Sequence, residues 1–186
     1  KDPQLAADIE IFNKQEVEHC KRHNSFNKML RQKGYPELAG FERKLANDFA
    51  DFLKNRSLRF NIAYAEGFEA MGSSNAETFF DVLPLLERGA DPRALELWKW
   101  HLAEEFEHRH VCFDVYRTLY GRGPLRGYFY RCYGYIYAYR HLTRFMDEVA
   151  DYLINVDRQS MTPQEAAKSE SRVRKHRKMA KARDFK

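Results

Sequence analysis

Two short runs pair acid with imidazole at a spacing that can do chemistry. Gln15-Glu16-Val17-Glu18-His19 places a Glu and a His three residues apart, and His23 follows four residues later. His101-Leu102-Ala103-Glu104-Glu105-Phe106-Glu107-His108 repeats the spacing with Glu105 and His108, and His101 precedes Glu105 by four. On an α-helix, residues three and four apart share a face. Glu16, His19 and His23 therefore form one stripe, and His101, Glu105 and His108 form another. A carboxylate oxygen and an imidazole nitrogen on one rigid face can reach the same metal ion. Two such helices, with a lone Glu from each of two others, build a two-metal site inside a bundle.

The rest of each stripe is apolar, with Phe12, Phe26 and Leu30 on the first helix and Leu97 and Cys112 on the second. Charged groups in an apolar stripe are costly unless they are paired or metal-bound. The ligands expected from the two runs are therefore Glu16, His19, Glu105 and His108. A third helix should add a lone carboxylate. Glu66, among Ile62, Ala63, Ala65 and Ala70, is expected to face inward, with Glu69 as the alternative. The fourth carboxylate is expected on a helix preceding Lys1, with Asp147, Glu148 and Asp151 as the other choices. A mixed nitrogen and oxygen donor set suits two iron ions first, with manganese or zinc as alternatives.

Long helices must position these groups. Three- and four-residue apolar steps predict one helix over residues 3–33, stopped by Gly34-Tyr35-Pro36, and a second over 36–71, ended by Gly72-Ser73-Ser74. Ser74 or Asn75 could cap a short helix through Leu86. Asp91-Pro92 opens a helix expected to run to Tyr120, where Gly121-Arg122-Gly123-Pro124 breaks the chain. A tyrosine-rich helix over 125–156 follows, and Thr162-Pro163-Gln164-Glu165 reads as a capping box for a basic last helix. The expected organisation is a metal-binding helical domain over residues 1–160 and a basic helical tail over 161–186.

The 186 residues, 44% hydrophobic and 15% aromatic, suffice for one sizeable core. The net charge of +5 is concentrated in Ser171–Lys186, so charge alone does not argue for nucleic acid. Cys20, Cys112 and Cys132 form an odd set without C-x-x-C spacing, which argues against a disulfide framework and for a reducing cytoplasm.

Phe12-x-x-Gln15-Glu16-x-x-His19-x-x-x-His23-x-x-Phe26-Asn27 resembles a signature of the bacterial family named predicted metal-dependent hydrolases. The run from His101 to His108, continued by Val111-x-Phe113-Asp114-Val115-Tyr116, resembles that family's second signature. The resemblance implies a ferritin-like all-α bundle with additional C-terminal helices. It also implies an earlier Glu-bearing helix. His101-x-x-x-Glu105-x-x-His108 is in addition similar to the last ligand helix of the arylamine N-oxygenases, two-iron enzymes of that fold. By that likeness His101 is either a third imidazole ligand or a hydrogen-bond partner of one. His23, Glu69 and Asp114 carry the same pair of roles.

Three functions remain open at this point. The first is O2-dependent oxidation of a small hydrophobic or aromatic substrate by two iron ions, in a pocket that Tyr64, Tyr116, Tyr133 and Tyr137 could line. The second is hydrolysis by a two-metal-activated water. The third is non-enzymatic iron storage. The tyrosine-rich helix suits buried packing first, then a homodimer contact or the surface of a membrane.

Overall fold

The computed structural model describes residues 2–183 apart from Arg88 and Arg122, with the side chains at 73–78, 81, 82, 85, 86, 108, 124, 176 and 179–183 left undescribed. The described residues form an all-α helical bundle of seven helices: α1 (Pro3–Gln32), α2 (Leu38–Asn55), α3 (Leu58–Leu86), α4 (Pro92–His108), α5 (Val111–Tyr120), α6 (Pro124–Arg158) and α7 (Pro163–Arg183). No helix among them is long and apolar enough to cross a membrane.

Local chemistry accounts for most boundaries. Asp2 caps α1 by accepting from the backbone N–H of Gln4 and Leu5, with Pro3 next, and Gly34 takes a φ of 118° beyond the other end. Asp91 and Pro92 open α4 in the same way. Gly123, at a φ of 88°, precedes Pro124 at the start of α6. Thr162 and Glu165 form the capping box, the Thr162 N–H donating to Glu165 at 2.9 Å and the Glu165 N–H donating to the Thr162 hydroxyl at 3.4 Å.

Three expected boundaries are corrected. The helix expected over 36–71 breaks at Ser57, whose hydroxyl caps α3 by accepting from the Phe60 N–H at 3.2 Å. No break occurs at Gly72-Ser73-Ser74, because α3 continues through them to Leu86. The Ser74 and Asn75 side chains lie outside the described set. The helix expected over 91–120 turns at Arg109-His110, separating α5 from α4.

Helix α3 is central and packs on α6, α4 and α5, while α1 lies against α4, α5 and α2. Phe52, Phe60, Tyr64, Met71, Ala138 and Leu142 form the core, with Phe49, Tyr137 and Tyr139 packed around it. Helices α3 and α6 approach closely at glycine. A Cβ on Gly134 would lie 2.6 Å from the Cβ and carbonyl oxygen of Ala63, and one on Gly67 would lie 2.8 Å from the Tyr135 Cα. One polar chain crosses this core. The Tyr64 hydroxyl donates to Nδ1 of His141 at 2.7 Å, and Nε2–H of His141 donates to Asp48 at 3.2 Å, so α3, α6 and α2 are tied together.

The tyrosine-rich helix is buried on one face only. Gly134, Ala138 and Leu142 of α6 face the core, whereas Leu125, Tyr128, Phe129 and Ile136 are exposed.

Candidate metal centre

Helix α1 delivers His19 to the interior, 4% exposed, and α4 delivers Glu105, 2% exposed. Nε2–H of His19 donates to Oε2 of Glu104 at 2.9 Å. That bond turns Nδ1 of His19 towards two further carboxylates, with Oε1 of Glu16 at 3.3 Å and Oε1 of Glu105 at 3.5 Å. From the other side, Nε2 of His101 lies 3.7 Å from the same Glu105 oxygen. His23 and His101 meet through Nε2 and Nδ1 at 3.2 Å, which fixes the His101 ring. One donor atom from each of His19, His101 and Glu105 lies within 4.8 Å of the others.

Trp100 presents an edge to the His19 ring with centroids 4.9 Å apart, and Trp98 packs against both His23 and His101. Imidazoles held by carboxylates and indoles cannot swing freely, so the donor directions are set before any ligand arrives.

The electrostatics follow from this crowding. Burial, then the charges of Glu69 and Glu16, pushes the Glu105 carboxyl up to about 9. Burial alone would lower His19, but Glu16 and Glu104 outweigh it and the net shift is upward. His23 is lowered, first by burial and then by the neighbouring His19. A buried carboxyl surrounded by other acids keeps its proton, unless a cation takes the proton's place. The donor set therefore fits a divalent metal ion.

The sequence-expected residues divide. Glu16, His19, His101 and Glu105 come together. Glu69 joins them, 4% exposed and hydrogen-bonded to Glu105. Glu66 does not: it is held by Arg131, whose Nε–H donates to both its oxygens at 2.7 and 2.9 Å. Asp114 is exposed in the first turn of α5, where it favours the positive helix end. The side chain of His108 lies outside the described residues. Of the alternative fourth carboxylates, Glu148 pairs with Lys44, Asp151 pairs with Arg177 at 2.7 Å, and Asp147 is exposed. Tyr64 and Tyr137 belong to the core, and Tyr116 accepts from Nε–H of Arg59 at 2.9 Å.

Two contributors were missed. Glu104 follows His101 by three residues, on the face that carries Glu105, and that spacing was the available signal. Gly72, expected to end a helix, instead lies within α3, where a Cβ would lie 2.6 Å from Oε2 of Glu105. Gly72→Ala is accordingly expected to displace the Glu105 carboxylate and weaken divalent-metal binding about tenfold, with the helical circular dichroism signal retained. Calorimetric titration with zinc would check it.

Compared with known protein families, residues 1–184 match the family described as predicted metal-dependent hydrolase. The chain belongs to this family. No curated protein and no solved structure gives a significant match. A metal-dependent activity, expected from both runs, agrees with the family's description and with the convergence of His19, His101 and Glu105.

Proposed function

We propose that this member of the metal-dependent hydrolase family hydrolyses its substrate at a divalent metal held by His19, His101 and Glu105, with Glu69 and Glu16 at its margin. The observation that carries the proposal is the convergence of two imidazoles and one buried carboxylate from α1 and α4. Two His and one Glu with an open position is a donor set of catalytic zinc sites. When bound there, the metal supplies Lewis-acid polarisation and a more acidic water.

The chain's own residues do the rest. Glu104 holds the Nε2 proton of His19, so that Nδ1 is the nitrogen presented to the centre. His23 does the same for His101, leaving Nε2 towards Glu105. Glu16, its side chain 35% exposed and 3.3 Å from His19, stands at the solvent side and is placed to take the proton of an attacking water. Water adds to the electrophilic atom, the bond to the leaving group breaks, and the departing oxygen receives the proton.

A two-His, one-carboxylate set also serves iron(II) oxygenases, which keeps O2-dependent oxidation as a second reading. The family description favours hydrolysis. One experiment separates them. Protein loaded with zinc or manganese is assayed for ester hydrolysis under argon, and protein loaded with iron(II) is assayed for O2 uptake. Hydrolysis without O2, reduced roughly 10–100-fold by Glu104→Ala, supports the proposal. O2 uptake coupled to substrate oxidation, with no hydrolysis by the zinc form, would overturn it.

A further inference from the structure

Beside the donor cluster lies an apolar hollow of about 260 Å³. Ile9 and Phe12 of α1, Ile62 and Ala65 of α3, and Cys112 and Val115 of α5 line it. Among the described residues its polar lining is Asn13 and Asn61. Asn13 is exposed and opens the hollow to solvent, while the Asn61 side chain donates to the Phe52 carbonyl oxygen at 3.2 Å.

Helix register places this hollow against the cluster. Phe12 precedes Glu16 by four residues on α1, and Ala65 precedes Glu69 by four on α3. On each helix the wall of the hollow therefore lies one turn from a carboxylate of the centre. Cys112 closes the gap between them. It lines the hollow, it is buried, and its thiol feels the charges of Glu69, Glu16, Glu66 and Glu105. Among the described residues no Lys, Arg, Asp, Glu or His lines the hollow, so none of them would bind a charged headgroup there. Its volume is below that of a drug-sized pocket and suits a short chain.

Resting on the hydrolase reading, we infer that the hollow receives the straight acyl chain of the substrate, which is a short-chain carboxylic ester. The carbonyl end then lies at the donor cluster and the chain end points towards Ile9, Ile62 and Val115, which are further along the chain from the carboxylates of the cluster. Water adds to the acyl carbon, the acyl–oxygen bond breaks, and one proton passes to the departing alcohol.

The test reads the hollow separately from the metal. Straight-chain 1-alkanols of increasing length, which carry no carboxylate, are titrated calorimetrically into the protein. Metal content is measured in parallel by mass spectrometry, and kcat/KM is followed for p-nitrophenyl esters of matching length. Alkanol affinity is expected to rise about fourfold per methylene and to level off when the hollow is full. The ester series should level at the same length. Ala65→Leu and Val115→Phe, on different helices, should each move the levelling point to shorter chains without changing metal content. Affinity independent of chain length in the wild type, or an unmoved levelling point in either folded variant, would overturn the inference. A length series that holds in protein that takes up no metal would instead sink the hydrolase reading, and the ester with it, while leaving the hollow as the alkyl-binding site.

Discussion

Glu105→Gln is expected to remove tight metal binding and, in the metal-free protein, to raise the melting temperature at about pH 8. The two effects share one cause. Glu105 is 2% exposed, and burial together with Glu69 and Glu16 raises its carboxyl from 4.5 to about 9. Between those values the folded state binds a proton that the unfolded state has released, so stability is full below the lower value and falls as pH rises towards the upper one. His19, also raised, acts in the same direction, and His23, lowered, opposes it. Glutamine keeps the shape without the ionisation. Its advantage over the wild type should therefore grow between about pH 5 and pH 8, reaching a few kcal/mol, or roughly 5–10 °C for a chain of this size. Scanning calorimetry in chelator would measure it. Loss of the buried carboxylate that faces both imidazoles should weaken zinc about a hundredfold or more. Undiminished zinc affinity in the variant would refute the assignment of Glu105 as a ligand.

The second large effect is expected at Gly134. A Cβ there would lie 2.6 Å from the Cβ and carbonyl oxygen of Ala63 and 2.7 Å from its carbonyl carbon. Those atoms belong to the α3 backbone and cannot swing aside, as the end of a flexible side chain could. Gly134→Val must separate α6 from α3, beside Phe60, Tyr64 and Ala138 of the core. A loss on the order of 3–5 kcal/mol is expected, read by urea or thermal unfolding. Gly40, in the first turn of α2, has nothing within 4 Å of a built Cβ. There Gly40→Ala should stabilise the protein by up to about 1 kcal/mol. Equal effects at the two positions would contradict this account of the α3–α6 contact.

Much of the helical framework was legible because its signals are local. Asp91-Pro92, Gly123-Pro124 and the Thr162–Glu165 box each act within one turn, and each lies at a helix start in the structure. The break at Ser57 lies within continuous apolar periodicity and has no proline or glycine beside it, so it was not expected. Gly72 misled for a different reason. A glycine within a helix resembles a stop, yet its role here is to leave room for Glu105, a residue distant in sequence. The turn at Arg109-His110 carries neither glycine nor proline, so nothing local marks it.

The donor set was partly legible on the same grounds. Spacing alone placed Glu16 with His19 and His101 with Glu105. Apolar neighbours favoured Glu66 over Glu69, three residues further on the same helix, and the structure reverses that order. The choice is made by Arg131, 65 residues further along the chain, which holds Glu66 away from the cluster.

The chain order of the donors has a mechanical consequence. His23 and His101 are 78 residues apart and His19 and Glu104 are 85 apart, so an ion between α1 and α4 would act as a clasp across most of the bundle. Closing so long a loop restricts the unfolded chain, and ligation favours the docked arrangement by mass action. Helix α1 otherwise rests on lighter packing than α3 and α6. Supply of the ion would thus govern how firmly the N-terminal rod stays seated, and a chain starved of it would loosen there first.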